Sequence, residues 1–385
     1  MAATVMISCG EASGDLYAGA LTSSLRALDP AVRVLGLGGD RLEAAGGELV
    51  GDYRGLAVTG IAEAVRVLPR SLQMYRHLVR TARAARPDVA VVIDFPDFNF
   101  RLASALRRLG IPLVYYIPPQ LWAWRSGRMR RLREIADRIL VIFPFEPEIY
   151  RQAGTAATFV GHPLLELARP TEGREPFLRA AGLDPAAPVV ALLPGSRPNE
   201  VSAILPTLRE ATALISGAVP RAQYVLARAP GLPSDLFGFS LAGTSSQPRI
   251  VTVEGRADDV LAACDLVITA SGTATVQAAI HEKPMVVVYR VSPVTYAIGR
   301  RFVHLDTFAM VNLVAGERIV PELIQDAFTP AAVATEALRL LQPGEARERA
   351  LCGVRRVKEK LGGPGASRRA AEAVLELVRL RSREL

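Results

Sequence analysis

Short runs rich in Val, Ile and Leu recur along the chain, and between them Ala, Leu and Arg repeat at helical spacing. Alternation of this kind predicts parallel sheets joined by crossover helices. In the first half the predicted strands are Val5–Cys9, Arg33–Leu37, Val89–Asp94, Leu113–Ile117, Ile139–Phe143 and Ala157–Val160. A second series is predicted at Val189–Leu193, Tyr224–Ala227, Ile250–Val253, Leu266–Thr269 and Met285–Tyr289. The polar, Pro- and Gly-punctuated stretch 161–188 between the series reads as a linker. The expectation is an α/β protein with two doubly wound domains, 1–165 and 166–345, facing each other across a cleft. A helical tail, 346–385, is expected to pack back on them. Its last helix spaces Ala370, Val374, Leu377 and Val378 along one apolar face, with basic residues outside.

Composition agrees with that outline. Of 385 residues, 50% are hydrophobic and 22% charged, which supports a sizeable core and excludes a disordered chain. No apolar run reaches the ~18–20 residues of a membrane-spanning helix, and the amino terminus lacks the pattern of a secretory signal. A cytoplasmic protein is expected. The three cysteines, Cys9, Cys264 and Cys352, are scattered, so buried thiols in a reducing compartment are expected, not disulfides. The four histidines stand apart from one another and from the cysteines, and no metal site is expected. The net charge is +8, and all but three of the 46 basic residues are Arg. That favours anionic partners such as phosphates or acidic lipid head groups. Aromatics are only 6%, with no basic stripe of interleaved aromatics, so nucleic acid is not the expected partner.

Candidate chemistry collects where strands give way to helices. "SCGEASGDLYAGAL" runs from a strand through small residues into a helix. Glu11 falls on the loop at the sheet's carboxyl edge, where open α/β folds bind ligands. Ser13 and Gly14 lie in the same turn, and Asp15 reads as a helix cap. In "LLPGSRPNEV", Gly195 and Ser196 can present N–H groups and Arg197 a planar fork suited to phosphate. "ITASGTATVQAAI" repeats that design with Ser271, Gly272 and Thr273. Two such turns in one domain point to a nucleoside diphosphate. Asp94 and Asp97 sit three apart in "VVIDFPDFNF", and Gln120, Trp122 and Trp124 follow a strand end where they could shape a sugar or acyl pocket. Arg130, Arg131 and Arg133 read as a solvated helix face. "GLAVTGIAEAVRVLPRSLQMYRHLVR" mixes Ile61, Val65, Leu68, Leu72 and Leu78 with Arg66, Arg70, Arg76 and Arg80. It reads as a core helix pair or as a surface for lipid, and Pro69 argues against one unbroken helix. No D-x-D pair follows a strand, so positive charge for a leaving diphosphate would come from Arg197 and helix amino termini.

The ordered set "GEASGD", "IDFPDFNF", "PPQLWAW", "FPFE", "VGHPLLE", "LLPGSRPNEV", "ASGTAT" and "NLVAGE" resembles the motifs of the lipid-A-disaccharide synthases over about residues 5 to 325. The resemblance implies a GT-B glycosyltransferase of family 19, inverting, metal-independent and without a cofactor. It implies UDP-2,3-diacylglucosamine as donor and the 6-hydroxyl of 2,3-diacylglucosamine 1-phosphate as acceptor. The product would be the β-1,6 disaccharide core of lipid A, made on the cytoplasmic face of the inner membrane, whose anionic surface is then a partner. No oligomeric state is read from the sequence. Glu11 and the Ser13-Gly14-Asp15 turn would belong to the amino-terminal side of the cleft. Gly195, Ser196, Arg197, Ser271, Gly272, Thr273 and Asn312 would line the UDP side. Gln277 stands where many relatives carry Glu for the ribose hydroxyls, and an amide can still accept one such bond. Pro118 replaces a common Ser.

Inverting transfer needs a base for the acceptor hydroxyl as UDP leaves from the opposite face. Asp94, ending its strand at the cleft mouth, is the expected base. Asp97, ahead of a helical run closed by Gly110, is the expected N-cap, and both Asp97 and Glu11 stay as alternatives for the base. Competing readings are a UDP-N-acetylglucosamine 2-epimerase, a cell-wall N-acetylglucosaminyl transferase, or a non-catalytic peripheral membrane protein that binds nucleotide sugars.

Overall fold

A computed structural model describes residues 2–56, 61–120, 127–237, 248–290 and 307–382. The chain forms two units, Met1–Pro163 with Gly362–Leu385, and Leu164–Leu361.

The first unit is built on seven parallel strands: β1 (Thr4–Ser8), β2 (Arg33–Gly38), β3 (Glu48–Asp52), β4 (Val89–Ile93), β5 (Leu113–Tyr116), β6 (Arg138–Val141) and β7 (Thr158–Phe159). They lie in the order β3-β2-β1-β4-β5-β6-β7. Helices α1 (Ala12–Leu28), α2 (Asp40–Ala44), α3 (Ile61–Ala85) and α4 (Pro96–Arg108) follow β1 to β4 in turn. The central strand β4, Val-Ala-Val-Val-Ile, is buried throughout, as a parallel strand covered on both faces requires. The carboxyl-terminal helix Ala366–Ser382 belongs to this unit and packs on α1. Its Ala370 and Val374 are fully buried, and Leu377 nearly so.

The second unit carries six parallel strands: β8 (Val189–Leu193), β9 (Gln223–Arg228), β10 (Ile250–Glu254), β11 (Leu266–Ala270), β12 (Met285–Tyr289) and β13 (Glu322–Ile324). Their order is β10-β9-β8-β11-β12-β13. In each sheet the chain first winds outward in one direction, then returns to the centre and winds the other way. The reversals fall between β1 and β4 and between β8 and β11, and these are the crevices where doubly wound sheets bind ligands.

The structure differs from expectation at several points. Strands β3 and β13 are edge strands, half-exposed along their length, so "ELVGD" and "ELI" carry no apolar run to announce them. Helix α3 runs unbroken through Pro69. Pro69 is exposed, so water can satisfy the carbonyl that its missing N–H would have engaged. The stretch expected as a linker contains helices at Leu164–Leu167 and Arg174–Ala180. It is tied down where Thr171 donates to Asp259 and Arg174 pairs with Asp265 at 2.9 Å. Cys9 and Cys264 are buried, whereas Cys352 is exposed on the helix Glu345–Lys360.

Candidate active site

In the first unit β1 pairs with β4, Ser8 opposite Val92, so the loops that follow them leave the sheet side by side. This brings Glu11 and Asp94 to one crevice. Glu11 is the N-cap of α1, half-buried, and its side chain makes no capping bond. Asp94 follows the end of β4, and its backbone is left-handed, with φ +43°; Phe95 is also left-handed at +50°. Left-handed non-glycine residues cost about 1–3 kcal/mol each and persist only where the surroundings over-determine them. Here they do. The Asp94 N–H donates to the Ile117 carbonyl at 3.2 Å, and the Asp94 carbonyl accepts from Asn99 Nδ2 at 2.9 Å and from the Tyr115 hydroxyl at 3.1 Å. Phe95 stacks on Phe98 and lies over Gly10, where a Cβ would come within 2.0 Å of Phe95 Cγ.

Asp97 is exposed in the first turn of α4, and the N-cap there is Phe95, not Asp97 as expected. An acid in that turn still complements the helix dipole. Asp15 caps a helix, but not its own. Its buried carboxylate accepts from the N–H groups of Gly39, Arg41 and Leu42 at the start of α2. Ser13 is half-buried and Gly14 buried in the first turn of α1. Gln120 is half-buried beyond β5, and Pro118 is buried. Trp122 and Trp124 lie outside the described residues.

His162 was not among the expected site residues, although it stands just beyond the last strand of this sheet. It is buried, edge-on to Tyr17 at 6.4 Å between ring centroids and tilted against Phe143 at 5.3 Å. Burial pushes its pKa down to about 3, so the imidazole is neutral. Tyr17 is buried as well, and burial together with the Asp94 charge keeps its hydroxyl protonated well above the usual range.

In the second unit β8 and β11 are neighbours, Leu193 opposite Thr269, so the two glycine turns stand next to each other. Gly195, at φ +120°, has no room for a side chain, because a Cβ would lie 2.6 Å from Glu200 Oε2. Glu200, in the first turn of the helix Pro198–Ala218, accepts from the Ser196 N–H at 3.3 Å and from Arg197 Nη1 at 3.2 Å. The cradle expected for a diphosphate thus already holds one internal carboxylate. Ser271 anchors the other turn, its hydroxyl donating to the Phe308 carbonyl at 3.0 Å, and Gly272 at φ +150° caps the helix Thr273–Ile280. Thr273 is exposed beside it. Gln277 is half-buried, and its amide nitrogen donates to Asp258 at 2.8 Å, which leaves its carbonyl as the acceptor it can offer. Asn312 is buried and bonded throughout. It donates to the Val320 carbonyl and Glu322 and accepts from the Ile319 and Val320 N–H groups. It therefore fastens the loop before β13.

A family model for lipid-A-disaccharide synthetase matches residues 5–377. A lipid-A-disaccharide synthase of Myxococcus xanthus is 42% identical over 97% of this chain and 97% of its own length. The chain belongs to the lipid-A-disaccharide synthase family. It is a glycosyltransferase of the GT-B fold, and the epimerase and non-catalytic readings are not favoured. Among solved structures it resembles the glycotransferase of kitacinnamycin, with a TM-score of 0.66 at 20% identity over 97% of this chain and 98% of that one. It also resembles a UDP-GlcNAc 2-epimerase from Neisseria meningitidis bound to UDP-GlcNAc, with a TM-score of 0.65 at 12% identity over 98% of this chain and all of that one. These likenesses show the fold alone, and it hosts both chemistries. The family membership separates them.

Proposed function

We propose that this chain transfers 2,3-diacylglucosamine from UDP to the 6-hydroxyl of 2,3-diacylglucosamine 1-phosphate with inversion, and that Asp94 is the base. The observation that carries the assignment is Asp94's place at the β1–β4 reversal, in a backbone conformation that the surrounding hydrogen bonds enforce. Asp94 takes the proton of the acceptor hydroxyl as that oxygen attacks the anomeric carbon and the bond to UDP breaks. Asp97 is exposed in a helix turn, and Glu11 lies across the crevice from Asp94; both rank behind it.

The UDP belongs to the second unit. The Gly195-Ser196-Arg197 and Ser271-Gly272-Thr273 turns would receive the diphosphate, whose charge displaces Glu200 from Arg197 and Ser196. The Gln277 carbonyl would accept from a ribose hydroxyl, and Asn312 would act by holding its loop. Incubating the protein with both lipid substrates in excess chelator should yield UDP and disaccharide. UDP-sugar conversion without the acceptor would instead indicate an epimerase. Asp94→Asn should lower turnover by about 10³-fold or more, at the upper end of what base catalysis contributes, while UDP binding persists. Near-normal turnover in that variant would remove Asp94 from the role.

Among the described residues no helix is long and apolar enough to cross a membrane. We place the chain on the cytoplasmic face of the inner membrane through helix α3, which exposes Leu68 (47%) and Leu72 (38%) beside the exposed Arg70, Arg76 and Arg80. The side chains of Ile61, Val65 and Arg66 lie outside the described residues, and Leu78 is in the core. Leu68→Ser with Leu72→Ser should weaken sedimentation with anionic vesicles about tenfold or more. Unchanged binding would return α3 to a purely structural role.

A further inference from the structure

We infer that Asn99 and Tyr115 form a clamp on the backbone of Asp94 that aims its carboxylate, making both of them positioning residues for the transfer reaction. This rests on the reading of Asp94 as the base. Asn99 has no exposed surface, and its amide gathers three carbonyls from the ends of two strands. Nδ2 donates to the carbonyls of Asp94 at 2.9 Å, Ile93 at 3.1 Å and Ser8 at 3.3 Å, while Oδ1 accepts from the Ser8 hydroxyl at 2.8 Å. Tyr115, from β5, reaches the Asp94 carbonyl from another strand.

The clamp acts on the peptide group between Asp94 and Phe95, the hinge between two left-handed residues. Relaxing either residue to an ordinary extended or helical backbone rotates that peptide, and rotation breaks the bonds from Asn99 and Tyr115 together. The direction of the Asp94 Cα–Cβ bond is therefore set by two side chains, one from α4 and one from β5, that both bond the Asp94 carbonyl. Asn99 also bonds Ser8, at the end of β1, and so fixes the Asp94 loop relative to the loop that carries Glu11. A helix position facing two strand ends would ordinarily be filled by an apolar side chain. A fully buried amide there serves the carbonyls that the strained turn leaves unpaired.

The test uses the full chain carrying Tyr115→Phe, Asn99→Ser or Asp94→Asn, with Leu132→Ala, at a fully buried leucine of the helix Gly127–Ile135, as a destabilised core control. Turnover is measured well below each unfolding temperature. Tyr115→Phe should lower kcat by about 3–10-fold and Asn99→Ser by about 10²-fold, the scale on which a small misplacement of a reacting group acts. KM for both substrates should stay within about twofold, and Leu132→Ala should keep its kcat. If Asn99→Ser does not fold, Tyr115→Phe decides alone. Wild-type kcat in the folded clamp variants, or a loss confined to KM, overturns the clamp while an inactive Asp94→Asn leaves the base standing. Near-normal kcat in Asp94→Asn overturns the base, and the clamp with it.

Discussion

Asp15 stands in a motif expected to touch substrate, yet the residue is only 3% exposed and its carboxylate is occupied by three backbone N–H groups at 2.7, 3.0 and 3.2 Å. The N-cap of α2 is Gly39, which has no side chain to do this work, so Asp15 performs it from α1. In Asp15→Ala the three donors lose their acceptor. Each unsatisfied buried donor costs about 1–3 kcal/mol, and water can reach the part-buried Arg41 amide, so the total comes to about 3–5 kcal/mol. In Asp15→Asn the remaining oxygen can keep Gly39 and Leu42, while the new amide faces the Arg41 N–H, a loss of about 1–3 kcal/mol. At about 2–4 °C per kcal/mol for a unit of this size, Tm should fall by about 6–20 °C for Ala and about 2–12 °C for Asn. Scanning calorimetry measures this directly, with kinetics run in parallel at a temperature where both variants are folded. Turnover and KM there should stay within about threefold of wild type. If Asp15→Ala melted within 2 °C of wild type but raised a substrate KM about tenfold, the structural reading of this carboxylate would be refuted.

Burial lowers the folded-state pKa of His162 to about 3 from an ordinary value near 6.5, so between these values the unfolded chain binds a proton that the native one does not. Stability should therefore fall as pH falls through that window, by about 2 kcal/mol at pH 5 relative to pH 7.5. Urea midpoints for wild type and His162→Phe would show it as a slope that the variant lacks. Gly10→Ala places a methyl 2.0 Å from Phe95 Cγ, so the ring must leave its seat. Activity should drop about tenfold or more and partly return with Phe95→Leu; full activity in Gly10→Ala alone would mean the Phe95 seat is dispensable.

The sheets were legible because central parallel strands must be apolar on both faces, and runs such as Val-Ala-Val-Val-Ile and Val-Val-Ala-Leu-Leu have no other soluble use. Both glycine turns were legible for a similarly local reason, since a small residue followed by a helix start is written in consecutive letters. The edge strands β3 and β13 were not, because half-exposed strands leave no such imprint. Nor was the left-handed turn at Asp94, for neither Asp94 nor Phe95 is the glycine that usually marks one. Its cause lies in Asn99 and Tyr115, whose bonds span three strand ends.

The same distinction governs the polar residues of the motifs. The sequence by itself determined that acids and amides gather where strands end. Only the tertiary structure decided which of them are taken up by the fold. Asp15 meets amides 24 to 27 residues away and Asn312 fastens the loop that begins seven residues on, whereas Asp94 is placed by bonds to its backbone. A hydrogen-bond partner is a fact of three-dimensional proximity, and no local pattern of side chains encodes it.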